Sequence, residues 1–196
     1  MNSNNYCIIM AGGVGGRFWP MSTPSCPKQF LDILGTGDTM LQTTVKRFER
    51  VCPRENIFVV TGIIYRSLVK EQIPFLKDYQ IICEPLRRNT APCIAYAGVI
   101  IKGINPDANI IVSPSDHAIF NLEKFTNLIE KALTVSTQIS SSGKPTPQSM
   151  TIMSLPYSRT VMFLPISSRP PRGIIFSFSA KKILLSKCIH KKQHNK

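Results

Sequence analysis

Short, β-branched apolar runs alternate with stretches whose apolar residues return every three or four positions, and the alternation holds from residue 6 to about residue 135. Tyr6–Met10 (YCIIM), Ile57–Thr61 (IFVVT), Gln80–Cys83 and Asn109–Val112 are each a few residues long, as buried strands are. Between them, the segment from Leu41 to Val51 puts Leu41, Val45, Phe48 and Val51 on one helical face, and Tyr65 to Ile73 reads as a second helix stopped by Pro74. Asn89 is placed to cap a third helix from Ala91 to Ile104, with Pro92 tolerated in its first turn. A fourth runs from Leu122 to Val135 with Leu122, Phe125, Ile129 and Leu133 inward. This order predicts an α/β fold, a mainly parallel sheet covered by helices.

From about Thr134 the order stops, and charge shows the same boundary. Of the 196 residues, 24 are Lys or Arg and 11 are Asp or Glu, a net charge of +13. All the acids lie within residues 1–130, whereas 131–196 holds no acid at all. An ordinary segment of that length carries roughly eight. The chain therefore divides into a patterned part, 1–133, and a basic, acid-free tail, 134–196. A basic tail is one way of binding nucleic acid or anionic lipid, but this one lacks interleaved aromatic and basic residues and has no RGG-like pattern, so no nucleic acid is expected as a partner. It also keeps IIFSF and ILL, which is too apolar for typical disorder.

The cysteines at 7, 26, 52, 83, 93 and 188 form no CxxC pair and no cluster with histidine, which is not a zinc spacing. Cys7 and Cys83 fall inside apolar runs and are expected in the core, whereas Cys26, in a loop, is expected to be exposed and oxidisable. The amino terminus has no basic, apolar export pattern, and no apolar run approaches the length of a membrane span. A soluble, cytoplasmic protein with free thiols and no membrane partner is expected.

The candidate chemistry begins where the first strand ends. Ala11 to Phe30 reads AGGVGGRFWPMSTPSCPKQF, with Gly12, Gly13, Gly15 and Gly16 at the strand's carboxyl end, where open α/β sheets bind ligands. Glycines let the backbone approach a phosphate and expose N–H donors, while Arg17 and Lys28 supply positive charge. Taken alone, the glycines favour an ordinary turn. The dinucleotide pattern GxGxxG would need glycine where Phe18 stands, and the P-loop would need Gly-Lys-Ser/Thr, so neither applies. Two further polar clusters follow later strands: EPLRRNTAPCIAYA from Glu84 to Ala97, and IIVSPSDHAI from Ile110 to Ile119. Asp116, just past the fourth strand, is by itself either a turn or capping residue or a hard oxygen ligand for Mg2+.

Gly12, Gly13, Gly15, Arg17, Pro20, Pro27, Lys28 and Gln29 together fit a GG-x-G-x-R-x-x-P loop followed by PKQ, and in this the chain resembles the sugar nucleotidyltransferase superfamily. With Trp19, RNTAP from Arg88 to Pro92 and PSDH from Pro114 to His117, it is similar within that group to the mannose-1-phosphate guanylyltransferases. Gly16 departs from the family, which commonly carries Thr or Ser there. The resemblance implies a Rossmann-like nucleotidyltransferase fold and transfer of GMP from GTP to mannose 1-phosphate, giving GDP-mannose and pyrophosphate, with Mg2+ as cofactor. It implies that Arg17 holds the β- and γ-phosphates, that Lys28 stabilises charge at the α-phosphate, and that Asp116 binds the metal. The backbone around Gly12 and Gly13 would contact guanine and ribose, that of Gly15 and Gly16 would donate to phosphate, and Glu84, Arg88, Asn89 and Thr90 would lie beside the base and triphosphate. Arg87 is expected to be solvated and His117 to be a structural neighbour. The family's second metal-binding Asp and its sugar-phosphate ligands come from a later half with no counterpart here. The expectation is an amino-terminal part with an out-of-frame, poorly ordered tail and impaired turnover, or else an inactive nucleotide-binding fragment or regulatory module. The sequence specifies no oligomeric state.

Overall fold

A computed structural model describes residues 2–13, 18–86, 90–141, 152–155 and 158–165. Four strands, β1 (Asn5–Met10), β2 (Ile57–Gly62), β3 (Ile81–Glu84) and β4 (Asn109–Pro114), lie parallel in the order β3-β2-β1-β4. Four helices connect or follow them: α1 (Met40–Phe48), α2 (Arg66–Gln72), α3 (Thr90–Ile104) and α4 (Leu122–Ser141). Two more strands, β5 (Ile152–Leu155) and β6 (Ser158–Pro165), extend the sheet beyond β4. β6 runs antiparallel to β4, with Asn109 opposite Pro165 and Val112 opposite Met162, and β5 pairs antiparallel with β6. The mainly parallel, helix-covered α/β sheet expected from the alternation is the one observed. The β5–β6 pair was not anticipated, because it sits in the acid-free segment, where prolines interrupt the apolar runs and no alternation marks a face.

The core is two apolar layers, one on each side of the sheet. Cys7 and Ile9 of β1 point to the side covered by α1, α2 and α4, where they meet Leu41, Val45, Phe48, Val69 and Ile129. Tyr6 and Ile8 point to the other side, against Cys93, Ile94, Ala97 and Ile101 of α3. Strands buried on both faces read as unbroken apolar runs, which is why YCIIM and IFVVT show no polar alternation.

Element boundaries follow local chemistry. α1 starts at a capping box: the Thr39 side chain accepts from the Gln42 N–H, and the Gln42 side chain accepts from the Thr39 N–H. It stops at Phe48, short of the expected Val51, because the Phe48 carbonyl accepts from both the Val51 and Cys52 N–H groups at 3.0 and 2.9 Å, tightening the chain into a turn. Val51 remains buried all the same. α4 continues past Val135 to Ser141, with Phe125, Ile129 and Leu133 buried and Leu122 packed at the margin. Cys83 is a correction: it is only partly buried, since β3 is the sheet's outer strand. The expected cap Asn89 lies outside the described residues. None of the described helices is long and apolar enough to cross a membrane.

Phe48 is fully buried and meets Phe125 edge-to-face at 5.8 Å between ring centroids. Phe48→Ala is expected to cost about 3–5 kcal/mol of stability, read from the urea midpoint.

Candidate functional site

The parallel register brings four chain exits to one edge. Met10 lies opposite Val60 of β2 and Pro114 of β4, and Gly62 lies opposite Glu84 of β3. The glycine segment, Glu84 and Asp116 therefore leave the sheet on the same side, at its carboxyl ends.

The start of the glycine segment is braced from below. Ala11 N–H donates to the Val60 carbonyl at 2.8 Å, and the Thr61 hydroxyl donates to the Ala11 carbonyl at 3.0 Å. The buried Gln29 amide adds two more bonds, to the carbonyls of Ala11 at 3.0 Å and Gly13 at 2.8 Å. One side chain thus spans the carbonyls on either side of Gly12. The Tyr65 hydroxyl donates to the Pro24 carbonyl at 2.8 Å and holds the far limb of the loop.

Gly12 faces Glu84. A Cβ at Gly12 would stand 3.3 Å from Glu84 Oε2, so glycine is what lets this carboxylate lie close against the backbone. Behind it, burial together with the charge and hydrogen bond of Glu84 pushes the Cys93 thiol up to about 12. Cys93 lies in the first turns of α3, which opens at Thr90, so β3 and α3 hold Glu84 between them.

Lys28 and Asp116 meet across the mouth of the site. Lys28 Nζ is 2.6 Å from Asp116 Oδ2, and both side chains are partly exposed, at 23% and 32%. Lys28 belongs to a single 3-10 turn, Lys28–Phe30, and its ammonium also lies 5.0 Å from the centre of the Phe18 ring. Asp116 follows Ser115, whose N–H and hydroxyl both donate to the Met10 carbonyl, at 3.1 and 2.8 Å. His117 Nε2 is 3.7 Å from Asp116 Oδ1, too far for a hydrogen bond.

Of the expected site residues, Gly12 and Glu84 come together, as do Lys28 and Asp116, and Thr90 opens the helix behind Glu84. Gly15, Gly16, Arg17, Arg88 and Asn89 lie outside the described residues. Sequence reasoning assigned no role to Gln29, Ser115, Thr44 or Arg47. Gln29 carried a signal, its place in PKQ beside Lys28. Thr44 and Arg47 carried none, since an arginine on an amphipathic helix reads as solvated. Asp116 is a single hard oxygen donor, and among the described residues no group of three or more His, Cys, Asp or Glu gathers to cage a metal. One carboxylate with solvent access fits Mg2+ held jointly with phosphate oxygens, which is how that ion is commonly bound.

A family model described as "Nucleotidyl transferase" matches residues 6–151. Mannose-1-phosphate guanylyltransferase from Escherichia coli is 37% identical over 137 residues, covering 68% of this chain and 29% of that protein. Mannose-1-phosphate guanylyltransferase ManC of Salmonella typhimurium strain LT2 is 41% identical over 133 residues, 65% of this chain and 27% of its own. Alginate biosynthesis protein AlgA of Pseudomonas aeruginosa is 32% identical over 162 residues, 78% and 30%. The chain thus spans less than a third of the length of these relatives. Among solved structures, that of a mannose-1-phosphate geranyltransferase from Thermus thermophilus superposes with a TM-score of 0.59 at 22% identity, covering 84% of this chain and 51% of that one. This last likeness shows the fold.

Removing the Gln29 brace leaves two carbonyls to find other donors. Gln29→Ala is expected to lower stability by about 1–3 kcal/mol in urea titration. Burial raises the thiols of Cys7, Cys52 and Cys93, the last two to about 12, so they stay protonated and shielded at neutral pH. Among the described cysteines, a thiol reagent applied to the native protein is expected to label Cys26 and Cys83 and to spare those three, as read by peptide mass spectrometry.

Proposed function

The chain belongs to the nucleotidyl transferase family, and on that premise we propose that it takes GTP and transfers GMP to mannose 1-phosphate, releasing pyrophosphate and forming GDP-mannose. The observation that carries this reading is the Lys28–Asp116 pair at the sheet's carboxyl edge, a cation and a carboxylate 2.6 Å apart beside the start of a glycine segment. The similarity to mannose-1-phosphate guanylyltransferases supports the choice of base and sugar.

In this reaction a phosphate oxygen of mannose 1-phosphate forms a new bond to the α-phosphorus of GTP, and the bond from that phosphorus to the oxygen bridging the α- and β-phosphates breaks. Pyrophosphate carries the bonding pair away. The nucleophile is already an anion, so no general base is required, which agrees with His117 standing too far from Asp116 to form a relay. What the protein must do is align two anions and offset the charge that accumulates between them. Lys28 does this by turning its ammonium from Asp116 to the non-bridging oxygens of the α-phosphate. Asp116, released from Lys28, would hold Mg2+ together with the triphosphate. When bound, Mg2+ supplies charge neutralisation on the phosphate oxygens. The backbone of Gly12 and Gly13, held by Gln29, lies against the nucleoside, and the Glu84 carboxylate beside Gly12 offers an acceptor to the donor edge of guanine. In this reading Gly15, Gly16 and Arg17 take the distal phosphates, and Arg88, Asn89 and Thr90 complete the nucleotide side.

The described cysteines are all free, which suits a reducing cytoplasm where GTP is also present. A second reading, nucleotide binding without turnover, draws on the absence, among the described residues, of any group of three or more His, Cys, Asp or Glu that could cage a metal. In it, residues 1–133 bind the nucleotide and act as an inactive nucleotide-binding fragment or regulatory module.

Two measurements separate these readings. Calorimetric titration with GTP is expected to show binding that needs Mg2+ and is lost in EDTA or in Asp116→Ala. If folded protein binds no GTP in the presence of Mg2+, both readings fail. Pyrophosphate release with mannose 1-phosphate then distinguishes enzyme from binding module, and Lys28→Met is expected to lower any release by about 10²–10³-fold.

A further inference from the structure

Asp116 is useful only if its carboxylate is aimed at the mouth of the site, yet it sits on a connection between β4 and α4 and not within either element. Something must fix that connection. Ser115 is tied to β1 through the Met10 carbonyl. The other ties come from α1, which contributes nothing to the site directly. The Thr44 hydroxyl lies 3.3 Å from the Ser115 carbonyl, and Arg47 Nη2 donates to the His117 carbonyl at 3.0 Å. Thr44 and Arg47 are three residues apart, on one face of α1. They therefore reach the carbonyls of the two residues that flank Asp116.

Arg47 does this at a cost that a filler residue would avoid. It is 3% exposed, and its Nη1 has no hydrogen-bond partner among the described residues. Burial lowers its guanidinium to about 10, a measure of how poorly the interior solvates the charge. A leucine or methionine would fill the same space without that penalty, as buried charges replaced by apolar groups often show. The Phe125 ring, 5.5 Å from the guanidinium carbon, holds the group from the α4 side, so the cation is clamped between helix and ring and directed at one carbonyl.

We infer that Arg47 is a positioning residue: through the His117 carbonyl it sets the orientation of Asp116 and thereby the Lys28–Asp116 pair on which the proposed nucleotidyl transfer rests. It acts through the backbone and touches neither nucleotide nor metal. This inference deepens the proposed function and depends on it for its purpose, although the positioning itself can be tested without substrate.

The test is acetylation of lysines in the native full chain, with neither metal nor nucleotide added, followed by peptide mass spectrometry. Lys28 is shielded by its ion pair, and Lys70, paired at 3.1 Å with Asp78 just ahead of the amino end of β3, is the internal reference. In Arg47→Met, Lys28 is expected to acetylate about two- to fivefold faster, the range an ion pair of this exposure protects, with Lys70 unchanged. Arg47→Lys keeps a donor for the carbonyl and is expected to return the Lys28 rate towards the wild-type value. A wild-type Lys28 rate in folded Arg47→Met overturns the proposal, and so does a parallel rise at Lys28 and Lys70, which would mean general loosening. Should Arg47→Met fail to fold, Arg47→Gln, polar but too short to reach the carbonyl, replaces it under the same criteria. Absence of GTP binding by the wild-type protein would refute the proposed function and leave this result to decide the role of Arg47 alone.

Discussion

The parallel pairing of β1 with β4 on one side and β2 on the other is the constraint on which the site depends. Strands that run in one direction release their chains at one edge, so a glycine segment, a glutamate and an aspartate that are far apart in sequence emerge together. Register matters as much as direction. β1 sends Cys7 and Ile9 to one apolar layer and Tyr6 and Ile8 to the other, and a slip of one residue would exchange the two sets. Cysteine and tyrosine differ too much in volume for that exchange to repack. Packing therefore holds the register, and the register places Met10 opposite Pro114, next to the segment that carries Asp116.

Above this apolar frame the polar atoms are arranged in two tiers. The lower tier is spent on the backbone. Gln29, Thr61 and Ser115 are buried, and each donates to a carbonyl at the end of β1, namely Met10, Ala11 or Gly13. Ala11 and Gly13 lie past the last residue of β1, and buried carbonyls without donors would destabilise the turn. The upper tier is left half-open. Lys28 and Asp116 neutralise each other, yet retain enough solvent contact to exchange partners. A fully buried pair would be expensive to separate, and a fully exposed one would lack fixed geometry. The intermediate position is what the proposed exchange of partners with a triphosphate and Mg2+ would need.

Most of the fold was legible in the pattern. Among the described residues, the parallel strands and the α-helices fall where apolar runs and helical spacing put them, because burial on both faces and burial on one stripe leave different periodicities. The misses have local causes. α1 ends early because the Phe48 carbonyl takes two N–H donors, an arrangement that spacing does not encode. Cys83 was assigned to the core on the strength of an apolar run, but an outer strand is covered on fewer sides. β5 and β6 went unread because their residues lack alternation, and their pairing rests on the free edge of β4, which takes β6, and on β6, which takes β5.

For the site, the sequence by itself determined the chemistry available: the glycines, the cation Lys28, the carboxylates Glu84 and Asp116, and the order in which they follow their strands. Residue type and spacing along the chain suffice for that, since each group's charge and hydrogen-bonding capacity travel with it. The tertiary structure alone decided which of these groups meet. Lys28 finds Asp116, and Glu84 finds Gly12, because strand order and register carry them to one edge, and neither can be read from spacing along a single chain. It also decided that Arg47 points inward to the His117 carbonyl and not outward to water. Helical periodicity gives the angle of a side chain about its own axis, whereas the environment at that angle is set by whichever elements pack there. Around Arg47 those are α4 and the connection after β4, both distant in sequence.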